Sequence, residues 1–172
     1  MSTKPIPGTP APALSLPLAG GGTYDLAAQS PTAATMVIFY RGLHCPVCET
    51  YLTKVKTKAA AFAEAGMPIV LVSMDGQDRA EKAKADWGLA DLPVAYGLSK
   101  AQARAWGLYI STSIKEAEPQ TFCEPGTFWI LPDGTQYLID IATMPFARPD
   151  LDILLSKVAA IGNGYPPRGT SA

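Results

Sequence analysis

The sequence predicts a single α/β domain in which helices cover both faces of a central mixed β-sheet. Three features lead to this fold class: apolar strand-like runs alternate with helical segments through residues 35–106, a strand–turn–strand pattern spans 126–141, and an amphipathic segment follows at 150–160. Alternating strands and helices favour parallel pairing, whereas a hairpin adds antiparallel strands at one side of a sheet. The 172 residues suit one domain with a hydrophobic core, and no obvious linker divides them.

The N-terminal segment is expected to form an extended arm followed by a small β-hairpin. Residues 1–12 are rich in proline and alanine, which favours an extended chain. Residues 13–18 alternate in part, and the glycines at 20–22 separate them from a second short run at 23–26. This pattern is typical of a hairpin. No Lys-Ser/Thr pair follows the glycines, so they do not indicate a phosphate-binding loop.

The first core elements are a buried strand and a long helix. Residues 35–40 form a short apolar run that suits a central strand covered on both faces. From Glu49 to Ala65 apolar residues recur at helical spacing, and Gly66 is a typical helix end. The apolar face consists of Tyr51, Leu52, Val55, Ala59 and Phe62.

Shorter elements complete the expected fold. Residues 110–122 are polar and lack periodicity, so we expect a flexible insertion near the site. A Pro-Asp-Gly turn after residue 131 predicts that the strands on either side of it form an antiparallel hairpin. The chain ends in a loop-like tail at 162–172. The remaining expected elements are a strand at 67–74, a helix at 78–87, an extended piece at 92–96, a helix at 100–106 after Ser99, strands at 126–131 and 135–141, and a helix at 150–160.

Composition narrows the function classes. The net charge is −1 and no basic run occurs, so nucleic acid is not an expected partner. The longest apolar runs are too short to cross a membrane, and the first seven residues lack the apolar core of a secretory signal. The expected location is therefore the cytoplasm. In that compartment the three cysteines are more often catalytic or metal-binding than structural disulfides.

The chemistry of the chain is predicted at a Cys-Pro-Val-Cys motif, where the strand at 35–40 gives way to the long helix. Only the thiolate is nucleophilic, and a helix N-terminus favours negative charge. Cys45 is therefore the expected nucleophile, and Pro46 suits the first helical turn. Cys48 lies one turn later, should be less exposed, and is expected to close a disulfide on Cys45.

Two nearby groups and a third cysteine extend the predicted site. Arg41 supplies a positive charge beside the motif, and His44 could stabilise the anion when charged. Cys123 is either a half-buried loop cysteine or a third thiol able to exchange with the pair, open to oxidation if exposed. Two other interpretations stay open for Cys45 and Cys48: small buried hydrophobic residues, or half of a zinc site. No metal is expected, since only one further cysteine is present and His44 adjoins Cys45 too closely to share one tetrahedral ion with it.

The run Phe39-Tyr40-Arg41-Gly42, followed by Cys45-Pro46-Val47-Cys48, resembles the peroxiredoxin-like branch of the AhpC/TSA family. The likeness covers most of the chain, including the opening hairpin, the second core strand and the run from Pro125 to Ile130. It implies one thioredoxin-like domain over residues 1–172, with Tyr40 among the supporting residues of the site. It also implies no cofactor beyond an external thiol reductant such as a thioredoxin or glutathione, and a homodimer, which related proteins often form.

The chain departs from the family pattern at two places. The family carries Pro-x-x-x-Thr-x-x-Cys, whereas the positions seven and three before Cys45 are Ile38 and Gly42. The family's second active-site arginine falls at Pro125, which instead resembles the cis-proline that faces the Cys-x-x-Cys motif of thioredoxins. Both departures favour dithiol–disulfide exchange over specialised peroxide reduction.

Two functions follow from these observations. The first is a thiol-dependent antioxidant oxidoreductase that cycles a Cys45–Cys48 disulfide and acts on disulfides or hydroperoxides. The second is a redox-inactive binding or scaffold protein of the same fold. In that case four large aromatic residues would line a partner surface: Trp87, Trp106, Tyr109 and Trp129.

Overall fold

The computed structural model describes residues 4–171, so residues 1–3 of the expected arm and residue 172 of the expected tail lie outside it. The strands are β1 (Ser15–Pro17), β2 (Thr23–Asp25), β3 (Thr35–Phe39), β4 (Ile69–Val72), β5 (Val94–Ala95), β6 (Ile110–Thr112), β7 (Thr121–Cys123), β8 (Gly126–Ile130) and β9 (Gln136–Ile141). The helices are α1 (Pro46–Glu64), α2 (Gln77–Asp86), α3 (Lys100–Ala105), α4 (Leu151–Lys157) and α5 (Ala159–Gly162), with a 3₁₀ turn at Leu26–Ala28. Within residues 4–171 no helix has the length and hydropathy needed to cross a membrane.

Strand β3 lies at the centre of a five-stranded sheet with the order β5-β4-β3-β8-β9. β3 is parallel to β4 and β4 to β5, while β8 is antiparallel to both β3 and β9. At the centre Val37 lies opposite Val70 on one side and Phe128 on the other. Every residue of β3, β4 and β8 is buried because both faces of the sheet are covered, which explains their nearly continuous apolar runs. The predicted mixed sheet is confirmed.

The N-terminal arm and hairpin are tied to opposite ends of the strand order. β1 and β2 pair antiparallel, as expected, and a bridge from Leu18 to Ala95 joins this hairpin to β5. The arm follows the other edge, where Pro10 bridges Thr135 just before β9. The described part of the arm therefore gains backbone partners from the sheet.

An apolar layer lies on each face of the sheet. On one face α1 buries Leu52 and Phe62 completely. On the other face Phe39, Trp106 and Phe128 form an aromatic cluster with ring centroids 4.9–5.6 Å apart. Aromatic rings in tilted or edge-to-face contact at this separation add to the energy of burial.

The four aromatic residues that the scaffold hypothesis assigned to a partner surface lie mostly in the core. Trp87, Trp106 and Trp129 are all buried, and Tyr109 is 55% exposed. A partner surface built from these four side chains is therefore absent, which removes the main observation that favoured the scaffold function.

Residues 110–122 were expected to form a flexible insertion without regular structure, but they include two short paired strands. They contain the two-stranded sheet of β6 and β7. The Ser113 N–H donates to the Gln120 carbonyl at 3.0 Å, and the Ile114 N–H donates to the Glu118 carboxylate at 2.8 Å. The polar composition indicated an irregular segment, but several of these polar groups form hydrogen bonds within the protein.

Helix boundaries follow from local capping. α3 begins after Ser99 with a capping box, in which Ser99 and Gln102 each bond the other's backbone N–H. α1 begins at Pro46, in agreement with the predicted place of this proline in the first turn, because the cysteine before it caps the helix; the apolar periodicity starts only at Glu49. The expected last helix is divided into α4 and α5 at Val158.

Leu52→Ala should lower the free energy of unfolding by roughly 2–5 kcal/mol, because it leaves a cavity under α1 in a fully buried position. Thr53→Ala, at the exposed neighbouring position, is the matched control and should change it by less than about 0.5 kcal/mol. Urea unfolding followed by tryptophan fluorescence measures both. Equal losses in the two variants would contradict the assigned orientation of α1.

Candidate active site

Cys45 and Cys48 form a disulfide at the N-terminus of α1, with their Cα atoms 5.2 Å apart. Cys45 caps the helix: its backbone is extended, and its Sγ accepts the Cys48 N–H at 3.2 Å. Pro46 occupies the first turn, where a missing N–H leaves no helical bond unmade. Cys48 has no exposed surface and Cys45 is 2% exposed. The motif thus lies where the sequence predicted, between a central strand and a helix.

The loop that leads to Cys45 is held by Asp75, a buried carboxylate beyond the end of β4. Asp75 accepts the Leu43 N–H at 2.8 Å and the Arg79 Nε–H at 3.1 Å. Gly42 passes so close that a Cβ there would lie 2.6 Å from an Asp75 carboxylate oxygen, and its φ of +130° also favours glycine. The Gly42 backbone and the Asp75 carboxylate therefore set the path of the loop together.

Tyr40 and Cys123 are buried beside each other beneath this loop. Tyr40 has no exposed surface, its ring lies 6.0 Å from that of Trp87, and burial raises the pKa of its phenol. The Cys123 thiol donates to the Tyr40 carbonyl at 3.5 Å. Burial raises the pKa of Cys123 to about 12. The third cysteine is thus a fully buried, protonated strand residue, and the expectation of a half-buried or exposed loop thiol is wrong.

Arg41 is paired with carboxylates of the β6–β7 region. Its Nε lies 3.3 Å from Glu124 Oε2 and its Nη2 lies 3.8 Å from Glu118 Oε1. Its guanidinium also stacks over the Phe122 ring at 4.6 Å. The positive charge predicted at Arg41 is therefore paired with two glutamates from a distant part of the chain, which offset it.

His44 is an uncharged side chain packed against the same region. Its ring centroid lies 4.6 Å from that of Phe122, and neither of its buried ring nitrogens has a hydrogen-bond partner. Burial, and then the nearby charge of Arg41, lower its pKa from 6.5. The lowered pKa favours the neutral form of His44 at pH 7, so the charged form that would stabilise the anion is disfavoured there.

Arg148 contacts the disulfide, and the sequence did not predict it as a site residue. Its Nη2 donates to Cys48 Sγ at 2.8 Å, its Nη1 donates to the Pro145 carbonyl, and its guanidinium lies 5.1 Å from the centroid of the Tyr51 ring. Burial lowers its pKa to about 10. Arg148 lies 100 residues from Cys48, between β9 and α4, and no local pattern marks it.

A groove of about 290 Å³ lies beside this arginine, between the first turns of α1 and the segment before α4. Two of its apolar side chains reach solvent, since Val47 is 41% exposed and Phe146 is 72% exposed. Its lining residues are Val47, Thr50, Tyr51, Lys54, Pro145, Phe146 and Arg148. Within residues 4–171 no three metal-ligating side chains gather at this or another place.

Comparison with known proteins identifies the family. The sequence pattern of the AhpC/TSA family matches residues 7–136, which is most of the chain. The chain belongs to the AhpC/TSA family. Comparison with curated protein sequences gave no match. The family identity confirms the resemblance of the Phe-Tyr-Arg-Gly and Cys-Pro-Val-Cys runs, and this AhpC/TSA protein is a thiol-dependent antioxidant oxidoreductase.

Solved structures show that this AhpC/TSA chain has the thioredoxin-type fold of peroxiredoxins. Peroxidoxin BcpB from Mycobacterium tuberculosis is 20% identical with a TM-score of 0.73, covering 91% of this chain and 97% of that one. A peroxiredoxin-like protein from Aquifex aeolicus is 18% identical with a TM-score of 0.73, covering 92% and 90%. The bacterioferritin comigratory protein of Xanthomonas campestris is 23% identical with a TM-score of 0.68, covering 86% and 90%.

The predicted cis-proline of this AhpC/TSA protein is wrong. No cis peptide bond occurs within residues 4–171, so Pro125 follows a trans bond. The bonds on either side explain the extended path: the Glu124 N–H donates to the Tyr109 carbonyl at 2.8 Å, and the Pro125 carbonyl accepts the Ala142 N–H at 3.0 Å. Pro125 therefore continues the chain from β7 into β8.

His44 should titrate below pH 6.5, because burial disfavours its charged form. In the unfolded chain the imidazole takes its proton near pH 6.5, so stability should fall as the pH drops from above 6.5 through the folded-state pKa. As His44 is the single histidine, its NMR signal is unambiguous. A His44→Gln variant should lose this part of the pH dependence; an unchanged profile would contradict the assignment.

Gly42→Ala should destabilise the protein by roughly 1–3 kcal/mol, because the new Cβ collides with Asp75 and the backbone is strained. Gly97→Ala is the matched control: Gly97 also has positive φ, at +75°, but a Cβ added there would have no atom within 4 Å, so its loss should be smaller. Urea unfolding gives the loss of unfolding free energy in both variants. The loss in Gly97→Ala reports the backbone strain alone, and the additional loss in Gly42→Ala reports the collision with Asp75. A larger loss for Gly97→Ala would reverse the interpretation.

Proposed function

We propose that Cys45 and Cys48 are the catalytic pair, with Cys45 as the nucleophile and Cys48 as the resolving thiol. The observation that carries this proposal is the disulfide at the N-terminus of α1, in which Cys45 is the capping residue. A thiolate at this position accepts a backbone N–H and meets the positive end of the helix dipole, which lowers the pKa of a cysteine.

With a disulfide substrate the cycle consists of two exchanges. The Cys45 thiolate attacks one substrate sulfur, the substrate S–S bond breaks, and one half of the substrate leaves as a thiolate. Cys48 then attacks Cys45 Sγ and expels the other half. The substrate is thereby reduced to two thiols, and the protein retains the Cys45–Cys48 disulfide.

With a hydroperoxide the first product is a sulfenic acid. The Cys45 thiolate attacks the terminal peroxide oxygen, the O–O bond breaks, and the alcohol leaves after taking up a proton. Cys48 then condenses with the sulfenic acid and releases water. The solved structure of the Xanthomonas campestris relative is described in terms of alkyl peroxide reduction, which supports a hydroperoxide as one substrate class here.

The other predicted residues have supporting parts in this proposal. Tyr40 is buried at the start of the loop, and Arg41 anchors the β6–β7 region. His44, which is next to Cys45 in the chain, packs against Phe122. Pro46 starts the helix, and Pro125 leads into β8. Cys123 stays outside the cycle because its thiol is buried and protonated.

An external thiol closes the proposed cycle without a metal or an organic cofactor. The reductant is a thiol protein such as a thioredoxin, or glutathione, which regenerates both cysteines in two exchanges. The proposal includes a cytoplasmic location, where such reductants keep thiols reduced, and a homodimer like those that related proteins form.

Reduced protein should consume hydrogen peroxide or a low-molecular-weight disulfide with many turnovers when a dithiol is supplied. Cys45→Ser should lower turnover to the rate of the reductant alone, because the nucleophile is lost. Cys48→Ser should accumulate a mixed disulfide on Cys45 with oxidised glutathione, visible by intact mass. Cys123→Ala is the control and should keep its activity within about twofold, as expected of a residue outside the reacting group. Full activity of Cys45→Ser would overturn the assignment.

A further inference from the structure

The two sulfurs of the disulfide have different hydrogen-bond donors. Cys45 Sγ accepts a neutral backbone N–H from Cys48 at 3.2 Å. Cys48 Sγ accepts from the guanidinium of Arg148 at 2.8 Å. Charge-assisted hydrogen bonds are stronger than neutral ones, and the difference grows when the acceptor becomes an anion. The surroundings therefore stabilise negative charge on Cys48 Sγ more than on Cys45 Sγ.

Arg148 has no carboxylate partner in the part of the chain that the structure describes. Its ion-pair distances to the aspartates and glutamates of residues 4–171 all exceed 4.0 Å. The groups facing it include Tyr51 and Cys123, both neutral at pH 7 because burial raises the pKa of each, and the cation Arg41. Glu124 also faces it, but Glu124 is already ion-paired with Arg41 and accepts a hydrogen bond from the Ser111 hydroxyl.

The guanidinium is held in place before any reaction. Its Nη1 donates to the Pro145 carbonyl, and its face lies against the Tyr51 ring. The Tyr51 hydroxyl in turn donates to the Pro149 carbonyl at 2.7 Å, which ties the segment around Arg148 to α1. A mostly buried cation without a carboxylate is costly unless an anion forms beside it.

We propose that Arg148 is a catalytic residue that stabilises the Cys48 thiolate and thereby fixes Cys45 as the sulfur that exchanges with external thiols. This inference rests on the proposed dithiol cycle and assigns its direction. The same contact makes Cys48 an active resolving thiol, because only the thiolate attacks.

The reductive step then has a defined course. A reductant thiolate attacks Cys45 Sγ, the Cys45–Cys48 bond breaks, and its electron pair stays on Cys48 Sγ as a thiolate beside Arg148. A second reductant thiolate attacks the reductant sulfur of the mixed disulfide on Cys45 and forms the oxidised reductant. Cys45 departs as the thiolate that attacks the next substrate. A thiol of lower pKa leaves faster, so attack on Cys45 is the favoured direction.

The first experiment identifies the sulfur that leaves. The oxidised full-length protein is mixed with limiting glutathione, quenched in acid, alkylated and mapped by tandem mass spectrometry. Wild type should carry glutathione on Cys45 and the alkyl group on Cys48. Arg148→Gln should lose this preference and react with glutathione roughly tenfold or more slowly, the size expected for a hydrogen bond to a charged group. Arg148→Lys should recover part of both effects.

Arg168→Gln is the matched control, because it removes an arginine of the C-terminal tail that bonds Tyr165 instead of the site. It should leave the labelling pattern and the rate unchanged. Glutathione on Cys48 in wild type, or an unchanged pattern in Arg148→Gln, would overturn the proposal.

A second measurement does not depend on turnover. In a Cys45→Ser background, thiolate absorbance at 240 nm gives the pKa of Cys48, which should rise by about one unit or more with Arg148→Gln, a tenfold change in thiolate fraction. In a Cys48→Ser background the same arginine change should move the pKa of Cys45 by less. If turnover fails while Cys48 shows this shift, the proposed function is wrong and the assignment of Arg148 stands. Turnover without the shift contradicts Arg148 alone.

Discussion

The active site depends on one constraint: the first turn of α1 must begin where the central strand β3 ends. β3 is buried on both faces and paired on both edges, so its end is a fixed point in the fold. The buried carboxylate of Asp75 then directs the following loop through its bond to the Leu43 N–H. Cys45 consequently reaches the helix as its cap, the position where a serine, threonine or aspartate oxygen usually accepts an N–H. The Cys45 sulfur therefore caps the helix and forms the disulfide at the same time.

Charge around the disulfide is divided between two arginines with opposite surroundings. Arg41 lies next to the motif in sequence, but Glu118 and Glu124 offset its charge. Arg148 lies far away in sequence, touches Cys48 Sγ and has no carboxylate partner within residues 4–171. Of these two arginines, Cys48 Sγ therefore interacts with the one whose charge is less compensated by carboxylates of the protein. The arginine that is nearest to the cysteines in sequence is therefore not the one that contacts the sulfur.

The position of the arginine near the cysteines also differs from the pattern expected for the AhpC/TSA family. Where the family resemblance leads one to expect a second arginine, this chain has Pro125, which continues an extended, trans backbone into β8. Arg148 brings a guanidinium to the cysteines from another part of the fold, the segment before α4. The β6–β7 region, which is polar in composition, uses its acidic side chains to bind Arg41 and to close its own turn.

Sequence periodicity alone determined the mixed sheet, the long helix and the position of the cysteine pair, because these depend on short-range patterns of apolar residues, glycines and caps. The strands at 35–39 and 69–72 are apolar because both faces of the sheet are covered, and a continuous apolar run can be recognised in the sequence. Only the tertiary structure decided the electrostatics of the site. The contact between Arg148 and Cys48 and the pairing of Arg41 with Glu124 arise between segments distant in sequence, and burial in the folded chain lowers the pKa of His44. Charge interactions and desolvation depend on distance and burial in space, and neither quantity is encoded in the spacing of residues along the chain.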